Sequence, residues 1–273
     1  MIMRIVLIPS AAALATANDA LRATADLFDP ERPARFTTSV LRGVGGMDQN
    51  VSADGYLAVV TNAAPHFRAF GPLGGAPCGK LELTSSTAHA NGCRWATNGG
   101  PFNMSNGDCD AGQFIMNGTT VGSGGYLPMF GASSDGSWVV GTLNQSIAKR
   151  WRVAWAINGF SWLVRNGVER VPLTPRALLH APRTAIGIDE SGRLMMLEVD
   201  GCEPYKGCPL HLGLTLRGTA ELLLAHGVMH AINLDGGGSS VTAENGTVIS
   251  HPTDSDNWLP RQERRVANIA CVV

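Results

Sequence analysis

An excess of charge of either sign is missing from this chain, and lysine is nearly missing too. The 273 residues carry 21 basic and 22 acidic side chains, a formal net charge of −1. That balance gives no electrostatic reason to bind nucleic acid or an anionic membrane surface. Lys80, Lys149 and Lys206 are the only lysines. The other bases are arginines, which suit two-pronged contacts with carboxylate or phosphate, a bias that a GC-rich genome produces equally well. Charged residues make up 16% against 44% hydrophobic, which excludes a disordered chain and leaves one large or two small globular domains. After the N-terminus there is no run of about twenty apolar residues, so no membrane-spanning helix is expected.

The six cysteines, Cys78, Cys93, Cys109, Cys202, Cys208 and Cys271, include no CxxC pair, which argues against a zinc ribbon or a thioredoxin-type site. Histidines offer no metal pair either: His226 and His230 are four apart, but Gly227 between them stops a helix. Neither a metal nor a cofactor is expected. Compartment decides whether such cysteines are thiols or disulfides. The opening "MIMRIVLIPSAAALATAND" has one positive charge, an apolar run and the small-residue pattern Ala15-Thr16-Ala17. It reads as a signal peptide over residues 1–17, with a buried N-terminal strand as the alternative. Asn50, Asn103, Asn117, Asn144 and Asn245 each open an N-x-Ser/Thr triplet, and glycosylation there would place those loops on the surface of a secreted protein.

No repeat or low-complexity linker interrupts the chain, and its 33 glycines and 15 prolines are scattered, which suits short strands and tight turns. "RFTTSVLRGV", "GYLAVVTN", "RWATN" and "VMHAINLD" read as strands, and "RTAIGIDESGRLMMLEVDG" as a hairpin turning at Gly192. "LTSSTAHANGC" predicts a short helix. "LTLRGTAELLLAHG" predicts a longer one, capped by Thr215, striped by Leu216, Ala220, Leu223 and Leu224, and stopped by Gly227. Strands dominate without regular strand–helix alternation, so the expected class is α+β with mixed sheets.

The segment "HAINLDGGGSSV" carries the sharpest chemical signal. It lacks the lysine and spacing of a phosphate loop and the GxSxG of a hydrolase elbow. Two readings remain: a tight bend capped by Asp235, or a strand end whose Gly236, Gly237 and Gly238 amides form an anion-binding nest. Other polar loops follow apolar strands at "ATNGGPFN" (Asn98, Gly99, Gly100), "AINGFSW" (Asn158), "APRTAIG" (Arg183, Thr184) and "LEVDGC" (Asp200). Each alone reads as a turn; together they suggest one cleft built from loops on a rigid sheet.

"INLDGGGSSVTAENGTVIS" resembles the most diagnostic segment of the phosphodiester glycosidase family. "NGCRWATNGGPFNMSNGDC", "WLVRNG", "RTAIGID" and "DNWLPRQERRVANIACVV" follow the family's order, from about Phe67 to the C-terminus. The chain departs from the pattern at Pro101, where an aromatic is usual. The resemblance implies one catalytic domain over 18–273 that hydrolyses a sugar-1-phosphodiester. The indicated substrate is α-GlcNAc-1-phospho-6-mannose on glycoproteins, whose cleavage exposes mannose 6-phosphate in the Golgi lumen or outside the cell. Asp235 and Asp200 then become catalytic carboxylates and Arg183 a phosphate-binding cation. Asn98, Gly99, Gly100, Asn158, Thr184, the three glycines and Ser239 become substrate-binding. The same resemblance pairs Cys78 with Cys109 and Cys93 with Cys271, and leaves Cys202 and Cys208 to pair locally. A homo-oligomer is left open. So are a phosphodiesterase cutting P–O and a non-catalytic glycan- or cell-wall-binding module.

Overall fold

The hairpin predicted from "RTAIGIDESGRLMMLEVDG" forms the centre of the protein. Its strands Arg183–Asp189 and Leu194–Val199 pair antiparallel, from Arg183 opposite Val199 to Ile188 opposite Leu194. Both are buried along their whole length, which is why they read as continuous apolar runs rather than as an alternation. The structure, a computed structural model, describes residues 21–24, 29–44, 53–75, 78–109, 113–122, 127–202, 213–253 and 262–273. The expected signal peptide, Asn50 and Cys208 lie outside the described residues.

Around this hairpin runs a seven-stranded sheet in the order Val168–Glu169, Ser161–Arg165, Val228–Asn233, Arg183–Asp189, Leu194–Val199, Ala53–Thr61, Arg35–Val44. A six-stranded sheet includes Ser137–Gly141, Met129–Ser133 and Val153–Asn158. A five-stranded sheet includes Trp95–Asn98, Ile269–Val272 and Phe67–Phe70. These three sheets share one core. Ile186, Met196 and Ile232 enter it from the first, Phe130, Trp138 and Ile157 from the second, and Phe67, Trp95 and Val272 from the third. Phe67, Phe130 and Trp138 pack ring to ring, with centroids 5.2–5.8 Å apart.

The outer face of each sheet needs its own cover, and one helix supplies it in each case. Leu216, Ala220 and Leu223 of Leu216–Ala225 pack on Leu57, Met195 and Leu197. Thr215 caps that helix as expected, its Oγ1 accepting from the Gly218 amide at 3.0 Å. Thr84–Ala90 covers the five-stranded sheet through Ala88, beside Ala96 and Cys271. Gln145–Arg150 covers the six-stranded sheet through Ile147 and Ala148. The sequence reading leaves this third helix unassigned because it is six residues long. Asn144, noted only as a glycosylation triplet, is its N-cap, with Oδ1 accepting from the Ile147 amide at 2.8 Å.

Mixed sheets are not what forms: every pairing between described strands is antiparallel. Parallel neighbours need long crossovers, usually helical. The three α-helices among the described residues instead lie over outer faces. Both pairings implied by the resemblance are present, Cys78–Cys109 and Cys93–Cys271, and Cys202 is also disulfide-bonded. Asn103, Asn117, Asn144 and Asn245 are all exposed.

Candidate functional site

One strand from each large sheet ends on asparagine: Trp95–Asn98, Val153–Asn158 and Val228–Asn233. The loops after them interlock at one end of the shared core. The Asp235 amide donates to Gly99 O at 2.9 Å, and the Phe160 amide donates to Asn233 O at 2.8 Å. Glycine is required because these backbones touch. A Cβ on Gly99 would lie 2.1 Å from Asn268 Oδ1, one on Gly100 2.0 Å from Asn158 O, and one on Gly159 2.4 Å from Asn233 O. Gly99 and Gly100, expected to face substrate, are therefore approached by the protein's own chain. Gly100→Ala is expected to cost about 3 kcal/mol, the upper part of the usual overpacking range, read as a lowered urea midpoint.

Asn98 and Thr184, also expected to bind substrate, bond the protein's own atoms. Both are fully buried. Asn98 Nδ2 donates to Asp235 O at 2.7 Å, while its Oδ1 accepts from Thr184 Oγ1 at 2.8 Å and from the Val241 amide at 3.2 Å. These bonds hold the Asp235–Val241 loop against the sheet end. Asn268, which the sequence reading passed over, does the same for the neighbouring loop. Its Oδ1 accepts from the Gly100 amide at 2.7 Å and its O from the Gly99 amide at 2.9 Å. Asn158 differs. Its Nδ2 is buried with no hydrogen-bond partner, an orphan that calls for water or ligand.

Arg183 and Thr184 are adjacent in a strand, so their side chains leave opposite faces of the sheet. Arg183 turns towards the helix side, where Nε donates to Leu214 O at 2.8 Å and Nη2 to Leu179 O. Both bonds run to carbonyls of the flanking loops. The glycine nest is also partly spent: the Gly237 amide donates to Pro182 O at 2.9 Å and the Gly236 amide to Asp235 Oδ1 at 3.1 Å. Ser239 is fully buried, and its Oγ accepts from Arg264 Nη1 at 3.3 Å. Asp235 remains well placed, half-buried, with its backbone held on both sides.

A second carboxyl group lies at the end of the hairpin. Asp200 is half-buried, and its Oδ1 accepts from the His251 amide at 2.6 Å. Two residues earlier stands Glu198, absent from the sequence-based site because "LEVD" reads as ordinary alternation. It is fully buried, and no N–H or O–H donor reaches either carboxyl oxygen. Burial, with the Asp200 carboxylate next in importance, pushes the Glu198 carboxyl well above the usual carboxylate range. The native state thus holds a proton that the unfolded chain releases. The stabilisation is full below the ordinary value of 4.5 and is lost as pH rises through the raised value. Urea midpoints across that window are expected to fall for the native chain and to stay flatter for Glu198→Gln.

A cavity of about 730 Å³ is walled by Leu81, Phe102, Met104, Pro252 and Arg264 among others. Arg264 links it to the Gly237–Ser240 turn, and Pro252 follows His251, whose amide binds Asp200. Asp235, Asp200 and Glu198 are not among the residues that wall this cavity, and Arg264 is the side chain it shares with the loop after Asp235.

The chain belongs to the phosphodiester glycosidase family, whose sequence model matches residues 91–273. N-acetylglucosamine-1-phosphodiester alpha-N-acetylglucosaminidase from Bos taurus is 34% identical over 239 residues, 78% of this chain and 44% of that one. The Mus musculus protein of the same name is 33% identical over 266 residues, 89% of this chain and 50% of that one. The chain thus spans about half the length of these curated relatives. Among solved structures, the zebrafish catalytic domain of that enzyme, auto-inhibited by its pro-peptide, superposes with a TM-score of 0.81 at 25% identity, covering 93% of this chain and 88% of that one. A hypothetical protein from Synechocystis shares the fold, with a TM-score of 0.59 at 14% identity over 88% of this chain and 62% of its own.

Proposed function

We propose that this chain hydrolyses the C–O bond between a sugar and the phosphate of a sugar-1-phosphodiester. The substrate proposed is α-GlcNAc-1-phospho-6-mannose on glycoproteins, with mannose 6-phosphate exposed as the product. The observation that carries the reading is the interlocked end of three sheets, which holds Asp235 half-exposed by main-chain bonds from Gly99 and Asn98. Family membership supplies the substrate class.

A phosphate monoester leaves readily, so protonation of the leaving oxygen matters less than for a sugar alcohol. The site must instead stabilise an oxocarbenium-like sugar and the departing negative charge. Asp235, with Asp200 as the second carboxylate, serves the first need. Arg264, at the cavity wall beside the Gly237–Ser240 turn, suits the second and takes the phosphate-binding role expected of Arg183. The partnerless Nδ2 of Asn158 supports the expectation that it donates to a sugar or phosphate oxygen. Disulfides form in oxidising compartments, which supports a secretory route, in the Golgi lumen or outside the cell. No helix among the described residues is long and apolar enough to cross a membrane.

Hydrolysis in ¹⁸O-labelled water tests the bond cleaved. Label on the released GlcNAc supports the reading. Label on the phosphate identifies the P–O phosphodiesterase, and absence of release from any sugar-1-phosphodiester identifies a glycan-binding module.

A further inference from the structure

Glu198 sits where a charge is hardest to hold. It is fully buried, no N–H or O–H donor of the protein reaches either oxygen, and its carboxyl neighbour is Asp200. Its register neighbours are Thr184 on one side and Tyr56 on the other, so all three side chains share the core-facing surface of the sheet. Thr184 lies 3.2 Å from Ser240 Oγ and bonds Asn98, placing Glu198 directly behind the clasp that holds the Asp235 loop. Asp200 follows two residues on, just past the strand end, and its carboxylate acts on that of Glu198. The other charged or titratable groups around the pair are Tyr56, His251 and Arg42, the last occupied by Asp54. None is a cation bonded to Glu198.

We propose that Glu198 and Asp200 form a carboxyl pair that holds one proton, borne by Glu198, and that Glu198 is a positioning residue keeping Asp200 ionised and aimed at the site. Neighbouring carboxylates disfavour ionising together, and the one in the apolar surroundings keeps the proton. Asp200 is half-buried and accepts from the His251 amide, a contact that favours its charged form. A neutral carboxylic acid that donates to Asp200 favours its charged form, whereas an ionised Glu198 would repel it. The raised proton affinity of Glu198 agrees with this arrangement.

The inference rests on the proposed hydrolysis, so one readout must not depend on activity. Infrared difference spectra of the full chain against Glu198→Gln, taken across pH, should show a protonated carboxylic acid at neutral pH that disappears only in alkali. In kinetics on the GlcNAc-1-phosphodiester, Glu198→Leu should lower kcat about 100-fold. Glu198→Gln, which still donates a hydrogen bond without charge, should restore most of that loss and abolish the alkaline fall in kcat. Absence of the acid band at neutral pH, or a glutamine variant as inactive as the leucine one, overturns the proposal. A wild-type chain that shows the band but no hydrolysis overturns the enzymatic reading and leaves the shared proton standing.

Discussion

Asp235→Asn is expected to lose at least about a thousandfold of turnover on the GlcNAc-1-phosphodiester, with the urea midpoint within about 0.5 kcal/mol of the native chain. Structure separates the two effects. The parts of Asp235 that hold the loop are main-chain atoms: its amide bonds Gly99 O and its carbonyl accepts from Asn98. Those bonds persist in the asparagine variant. The side chain accepts from the neighbouring Gly236 amide, and the amide oxygen of asparagine can do the same. What disappears is the negative charge that meets an oxocarbenium-like sugar. Steady-state kinetics on purified protein, with a unfolding curve on the same sample, checks both halves. Turnover within tenfold of the native chain would remove Asp235 from the catalytic role.

Replacing Cys93 and Cys271 together by alanine is expected to cost about 4–5 kcal/mol. The bond joins residues 178 apart, almost two thirds of the chain. In the chain-entropy account, a loop of that length constrains the unfolded ensemble by about 5 kcal/mol, against about 3.5 kcal/mol for the 31-residue separation of Cys78 and Cys109. The location adds to the effect. Cys271 lies in Ile269–Val272, which pairs on both sides, with Trp95–Asn98 and with Phe67–Phe70, and feeds Val272 into the shared core. Freeing that strand loosens the sheet whose end carries Asn98. A loss of this size takes up much of the 5–15 kcal/mol that usually holds a domain together. Urea unfolding under non-reducing conditions measures it. An unchanged midpoint would mean that packing alone secures the last strand.

Much of this protein is legible in one dimension. The hairpin at Gly192, the helix capped by Thr215 and the strand leading to Asp235 all stand where local signals put them, because turn glycines, caps and apolar stripes act over a few residues. The match of "INLDGGGSSVTAENGTVIS" to a known family likewise depends on order along the chain alone. Assigning roles within the site needed the third dimension. Asn98, Arg183, Thr184 and the glycines look alike in sequence, as polar or small residues after apolar strands. Only packing shows that the first three bond the protein's own atoms and that Gly99 and Gly100 make room for its backbone.

Glu198 shows the same limit from the opposite side. In "LEVDGC" it alternates like any surface glutamate, and nothing local marks it as buried. Its character comes from a second face of cover, supplied by sheets whose strands, such as Trp95–Asn98 and Ile269–Val272, lie far off in the chain on both sides of it. The sequence by itself determined the elements and the family, and it singled out Asp235. The tertiary structure decided which polar groups bond the protein's own atoms, because desolvation and hydrogen-bond satisfaction are properties of the assembled core and not of any segment.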